Sequence, residues 1–437
     1  MVLFFSNIDP MRQLHPIFLL IILAACSTDK DNQVVQKADA DQILSNTQET
    51  AFIKAKEQLE YWSSKLAPDS SGIGDVAGLA GANSAMFQTT GDMLYLKAAE
   101  SLYKKAIQIS ANNKDGFSRS LARNYISQHR FREAQEVLYE STTLPHNTRE
   151  THLVGFDIAM ELGAYDEAGI HLKEIANDSE FEYLIRRSKW ADNNGNLDEA
   201  IRYMEKAKTI ADASNIKSLE VWANTNLADY YGHAGRIQES YDLYMKTLTV
   251  EPDNAYAIKG IAWIAYANDG NNHLALRLLD KAMEYHQAPD YHLLKSEVLA
   301  FDGQKEASEL ELTKFLEKSS VPVYGEMYNI YLMEVLSEKA ASKALTIALR
   351  EVINRPTPEA YEWLAYCQLR ADDRKEALRT LEAHVEGKTY EPMALYHAAL
   401  IYQANGMDEK AQKLLEELDS AAFELGPALM ANIKATF

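Results

Sequence analysis

"VWANTNLADYYGHAGRIQESYDLYMKTLTVEPDN", residues 221–254, decides the fold. Leu227, Ala228 and Tyr231 fall three or four apart, which places them on one face of a helix. "HAGR" interrupts that run with a turn glycine. Beyond the turn, Ser240 and Tyr244 are again four apart and begin a second helix. Pro252 ends it, because proline supplies no backbone N–H to continue the ladder. The stretch therefore reads as a helix–turn–helix. Each helix has an apolar face that two short helices cannot bury alone.

The arrangement recurs along the chain. A small residue lies five positions after a turn residue at Ala99, Ala134, Ala168, Ala200, Ser240, Ala275, Ser308, Ala344, Ala377 and Ala411. The steps run from 32 to 40 residues. A large apolar or aromatic residue follows most of them by four positions, as at Tyr103, Leu138, Met204 and Leu279. "ELGAYDEA", "NNGNLDEA" and "ANGMDEKA" repeat the turn. In length, small crossing residue and closing proline this unit resembles the tetratricopeptide repeat (TPR). The resemblance covers about ten units over residues 75–425. Glycine never fills the Leu-Gly pair of that motif; Ala228 stands there in the unit quoted. The fold class expected is all-α, a right-handed superhelical solenoid with a concave groove lined by the first helix of each pair. The 40-residue step around "TIADASNIKSLEVW" predicts longer helices there.

What precedes the repeats reads differently. "FLLIILAACSTDKDN", residues 18–32, is an apolar run that stops at Cys26. About twenty apolar residues are needed to cross a bilayer, and this run is half that. It fits the apolar core of a secretory signal over residues 1–25, with Met11 a plausible start. Leu23-Ala24-Ala25-Cys26 resembles a bacterial lipobox. That resemblance implies diacylglycerol on the Cys26 thiol and cleavage just before it. Two or three acyl chains anchor stably, at about 0.8 kcal/mol per buried CH₂. Ser27 after the cysteine, instead of aspartate, implies the outer membrane. Residues 26–47 are polar and aperiodic and read as a flexible tether. Phe52, Ala55, Leu59, Trp62 and Leu66 then predict a helix, and "GIGDVAGLAG" a loop, together spanning 48–74. Residues 426–437 are expected to cap the array.

The net charge is −20. Such acidity opposes nucleic-acid binding, which needs Lys and Arg against phosphates. Cys367 is the one cysteine besides Cys26, so no disulfide framework is expected, and a buried inert thiol is. The chain lacks HExxH, GxxxxGK[ST], GxSxG and CxxC. No enzyme, metal or cofactor is expected; His286, Asp290 and His292 read as an inter-repeat turn.

The groove is the place for function. The TPR resemblance implies that the second, fifth, ninth and twelfth positions of each unit face it. Those include Trp222, Tyr256, Trp263 and Tyr266 in the middle, and Glu359, Glu362 and Tyr366 toward the end. Aromatic anchors near charge suit peptide docking; the competing reading packs these rings between repeats and leaves the acids to solvate. Lys259 alone is placed to clamp a carboxylate. The function expected is a lipid-anchored scaffold or assembly factor in the bacterial envelope, holding a protein or peptide partner. The alternative is a nutrient-binding surface lipoprotein resembling the SusD-like glycan binders, which need long insertions between repeats.

Overall fold

The computed structural model describes residues 33–66, 72–141 and 148–437. The signal segment, Cys26 and the first part of the tether lie outside the described residues. Among those described, every regular element is helical.

Two helices, α1 (Lys37–Ser45) and α2 (Thr50–Lys65), precede the hairpins. The first five hairpins are α3 (Ile73–Thr90) with α4 (Met93–Ile109), α5 (Lys114–Ser127) with α6 (Phe131–Ser141), α7 (Thr148–Glu161) with α8 (Tyr165–Glu174), α9 (Phe181–Asn193) with α10 (Leu197–Ser214), and α11 (Lys217–His233) with α12 (Ile237–Val250). The second five are α13 (Ala255–Ala267) with α14 (Asn272–Tyr285), α15 (Asp290–Phe301) with α16 (Lys305–Ser319), α17 (Asn329–Lys339) with α18 (Ala341–Asn354), α19 (Pro358–Arg370) with α20 (Arg374–His384), and α21 (Pro392–Ala404) with α22 (Asp408–Leu418). A last helix, α23 (Ala422–Thr436), follows. The 40-residue step is taken up by α10 and α11, 18 and 17 residues long.

Local chemistry sets the ends. Thr357 caps α19 by accepting from the Ala360 N–H, with Pro358 in the first turn where its missing N–H is harmless. Asn254 and Asn271 cap α13 and α14 in the same way. In the turn after α11, the Arg236 N–H donates to the Tyr231 carbonyl at 2.8 Å and stops the helix.

All ten small residues of the repeat lie on second helices, and all ten are buried. The helices approach backbone to backbone there. Ser188 Oγ donates to the carbonyl of Ala200 at 2.7 Å, and Ser296 Oγ donates to that of Ser308 at 2.9 Å. A larger side chain would push the pair apart. The core is accordingly a series of local clusters, not one centre. Leu121, Phe131 and Val154 belong to one, Leu184, Met204 and Leu227 to the next, and Ile258, Ile261 and Leu278 to a third.

The array closes on itself. Arg132 Nε donates to the Ile353 carbonyl at 2.7 Å, and Asn354 Nδ2 to that of His129 at 2.9 Å. Arg355 reaches Glu161 at 3.3 Å, and the Gln287 N–H donates to the Thr90 carbonyl. These partners are about 200 residues apart, so the second half of the array lies against the first.

Three expectations need correction. Residues 34–45 are not flexible tether. The Val34 and Val35 N–H groups donate to the Asp269 carboxylate at 3.0 and 2.9 Å, and α1 buries Ala40 and Ile43 near α14. Its apolar residues are few, and they find their partners more than 200 residues away. The glycine-rich loop is mostly helix: α3 begins at Ile73 and contains Gly74, Gly78 and Gly81. Gly78 is needed for contact, since a Cβ there would stand 2.3 Å from the Trp62 ring. Finally, the C-terminal segment does more than cap. Helix α23 packs on α21 and also on α11, α13 and α15.

Candidate partner-binding groove

First helices of neighbouring hairpins touch directly, α5 on α7, α7 on α9, α11 on α13, α17 on α19 and α19 on α21. Second helices instead pack on the first helix that follows them. The array therefore bends with its first helices on the inside, and all four helices that α23 touches are first helices. The fold is an all-α solenoid of TPR-like helical hairpins.

At the middle of the solenoid the concave face holds a cavity of about 460 Å³, lined in part by Tyr256, Lys259, Trp263, Tyr331, Phe423 and Glu424. Asp229 forms one wall. It accepts from the Tyr256 hydroxyl at 2.7 Å and from the Tyr244 hydroxyl. Burial raises the Asp229 pKa, and the two hydroxyls pull it back only in part. Lys259 forms another wall and is paired with Asp290 at 2.5 Å. Burial works against the ammonium charge, but Asp290 and Tyr331 hold its pKa above the ordinary lysine value. A cation already neutralised in this way does not offer itself to a carboxylate.

The tail closes one side. The Trp263 indole N–H donates to the Phe423 carbonyl at 3.1 Å, and the two rings pack edge to face at 6.4 Å. Beside them Tyr266 is fully buried and donates its hydroxyl to Glu297 at 3.1 Å. Burial lifts the Glu297 carboxyl to about 7, against the lowering effect of that hydrogen bond. A second cavity of about 390 Å³ lies along the same face, with Glu161, Asp192, Arg355, Glu359, Glu391 and Glu424 in its lining.

The expected site residues divide. Tyr256 is 54 % exposed at the cavity and Trp222 is 40 % exposed. They do not form a continuous strip. Trp222 packs edge-on to Phe181 at 5.6 Å, whereas Tyr256 reaches Asp229. Trp263 lines the cavity but is covered by the tail, and Tyr266 is core. Glu359 lines the second cavity. Glu362 and Tyr366 are buried between neighbouring first helices and are not a charged rim. His397 Nδ1 shares a hydrogen bond with Glu362, and its ring stacks on Tyr366 at 3.7 Å. The Tyr366 hydroxyl donates to Glu338 at 2.9 Å. Cys367 is buried alongside, its thiol pushed up to about 12 by burial and then by Glu362.

Tyr331, Asp229 and the tail residues Phe423 and Glu424 belong to the groove without having been expected there. Position nine of the repeat points to Asp229, by the same rule that selects Trp263. The signal in the tail is "AAFELGPALMANI", apolar on both sides of a Gly-Pro break and placed after the last hairpin.

No protein-family model matches this chain, and no curated protein does. Among solved structures it is similar to PilW, a type IV pilus biogenesis factor, at 19 % identity over 46 % of this chain and 91 % of that one, with a TM-score of 0.37. It is also similar to a tetratricopeptide repeat protein from Parabacteroides merdae, at 17 % identity over 55 % and 93 %, TM-score 0.32. Yeast Tom70 matches at 13 % identity over 91 % and 94 %, TM-score 0.39. These superpositions are partial, and the assignment of the fold rests on the chain's own hairpins.

Proposed function

We propose that this chain is a lipid-anchored scaffold of the bacterial cell envelope, and that its concave face docks a segment of a protein partner. The observation that carries the docking reading is the central cavity. It joins exposed Tyr256 and half-covered Trp263 to the carboxylates of Asp229 and Glu424, an aromatic and polar mixture suited to holding a peptide. The anchoring part rests on Leu23-Ala24-Ala25-Cys26 closing the apolar run. The net charge of −20 supports a protein partner over a nucleic acid. The scaffold is read as non-enzymatic. Repeat steps that mostly stay close to 34 residues favour it over a glycan binder that would need long insertions between repeats.

Two measurements test this reading. A palmitate analogue should label the chain in cells, and Cys26→Ala should abolish the label; label that survives the substitution removes the anchor. A photo-crosslinking amino acid at Tyr256 should capture a discrete protein in intact envelopes. The same group at Ile170, 62 % exposed on the second helix α8, should not. Equal capture from both positions removes the groove from the account.

A further inference from the structure

The concave face already has an occupant. Helix α23 is broken at Gly426, which sits at φ 75° and ψ 162°, and Pro427 follows. Beyond the break, Met430 and Ile433 pack with Leu425, Tyr396 and Leu418 at the end of the last hairpin. Before it, Phe423 and Glu424 enter the central cavity. The wall is fitted to them. Gly232 leaves room for the Phe423 ring, since a Cβ there would come within 2.9 Å of it. His233 Nδ1 stands 3.8 Å from the Glu424 carboxylate. Trp263 takes the ring, the main-chain carbonyl and the bare Cα of Gly426. These are features of a recognised segment and exceed what shielding the last hairpin from water requires.

We infer that α23 is a built-in ligand of the groove, and that the partner which opens it presents a helix of the same pattern: an aromatic residue, then an acidic one, then an aliphatic one, as in Phe423-Glu424-Leu425. This rests on the reading of the concave face as the docking surface. A segment tethered to its own site acts at an effective concentration of order millimolar. A competing helix therefore binds the chain with its affinity multiplied by the fraction of molecules whose tail is open, and so more weakly. The tail sets a threshold that weak, unspecific helices do not pass.

Gly426→Ala is the variant that tests this. An alanine there would have to hold a left-handed φ, and its Cβ would come within 2.7 Å of the Trp263 ring. The tail should lift while the hairpins stay. The probe is a labelled synthetic peptide of residues 419–437. Hydrogen exchange over 419–437 should rise at least about tenfold in the full-length variant, and the peptide should bind it at least about tenfold more tightly than it binds the unaltered chain. Adding Trp263→Ala should abolish that binding. Phe423→Ala, which keeps the glycine, should act in the same direction. The inference is overturned if the peptide binds the unaltered chain and both variants alike, if it fails to bind a chain whose tail has lifted, or if neither variant lifts the tail. Concentration-dependent dimers in the Gly426→Ala chain would make a second copy the occupant and remove the partner helix. The two readings separate cleanly. Peptide exchange without partner capture at Tyr256 leaves α23 an internal strap, and capture without peptide exchange leaves the groove a docking surface with α23 a bystander.

Discussion

The indole N–H of Trp263 donates to the main-chain carbonyl of Phe423 at 3.1 Å, tying a hairpin in the middle of the array to a helix 160 residues further on. Trp263→Phe keeps a ring there and removes the donor. A hydrogen bond of this kind contributes about 1 kcal/mol, so exchange in the tail should rise severalfold while the helical circular dichroism is unchanged. Trp263→Ala should lose more than that but less than the roughly 3–5 kcal/mol of a fully buried tryptophan. Tail-specific exchange distinguishes this from general melting.

The crossing residues make a second prediction. Ala168 is fully buried on α8, and leucine there would force α7 and α8 apart. Overpacking of this sort costs about 1–3 kcal/mol. Ala300→Leu, at an exposed position of α15, should stay within about 0.5 kcal/mol. Urea denaturation of the two variants checks the contrast.

Arg355 joins the two halves of the array. It bonds Glu161 at 3.3 Å and lies against the Phe131 ring. Arg355→Ala should destabilise by about 1–3 kcal/mol, while Lys189, at 2.8 Å, still neutralises Glu161. Because the hairpins are separate local units, the larger effect should be on shape. Small-angle scattering should show a larger radius of gyration with helix content preserved.

The pH dependence follows from Glu297. Burial holds its carboxyl at about 7 in the folded chain, above an unfolded value near 4.3. Its acidic neighbour Glu334 is raised as well, by desolvation and by Glu297 itself. A raised carboxyl binds its proton more tightly in the folded state. Its contribution is fully present below the unfolded pKa and is lost as pH rises through about 7. Glu297→Gln, which can still accept from Tyr266, should leave stability at pH 4 nearly unchanged and raise it at pH 8. Thermal melts across that range check the sign.

The sequence carried the hairpins because their signal is local. A small residue at each crossing and a turn five residues before it lie within one unit, and all ten crossing residues are buried. The groove was legible only in part. Repeat position selects the helix face that carries Glu362 and Tyr366, but not how near the next first helix lies. There His397 fills the space and turns both into core. Trp263 faces inward as its position implies, yet its partner Phe423 lies far beyond any repeat period. A still longer stretch of chain separates Val34 and Val35 from Asp269, which is why that segment reads as loose chain.

The most direct measurement is photo-crosslinking from Tyr256 in intact envelopes, comparing the unaltered chain with Gly426→Ala. Tyr256 is exposed at the cavity that the tail enters, so it reports whatever replaces α23. One discrete protein should be captured from this position, in greater yield from the Gly426→Ala chain and not from Ile170. Capture that is the same in both chains would contradict the tail's control of the groove, and capture no different from that at Ile170 would contradict the groove itself.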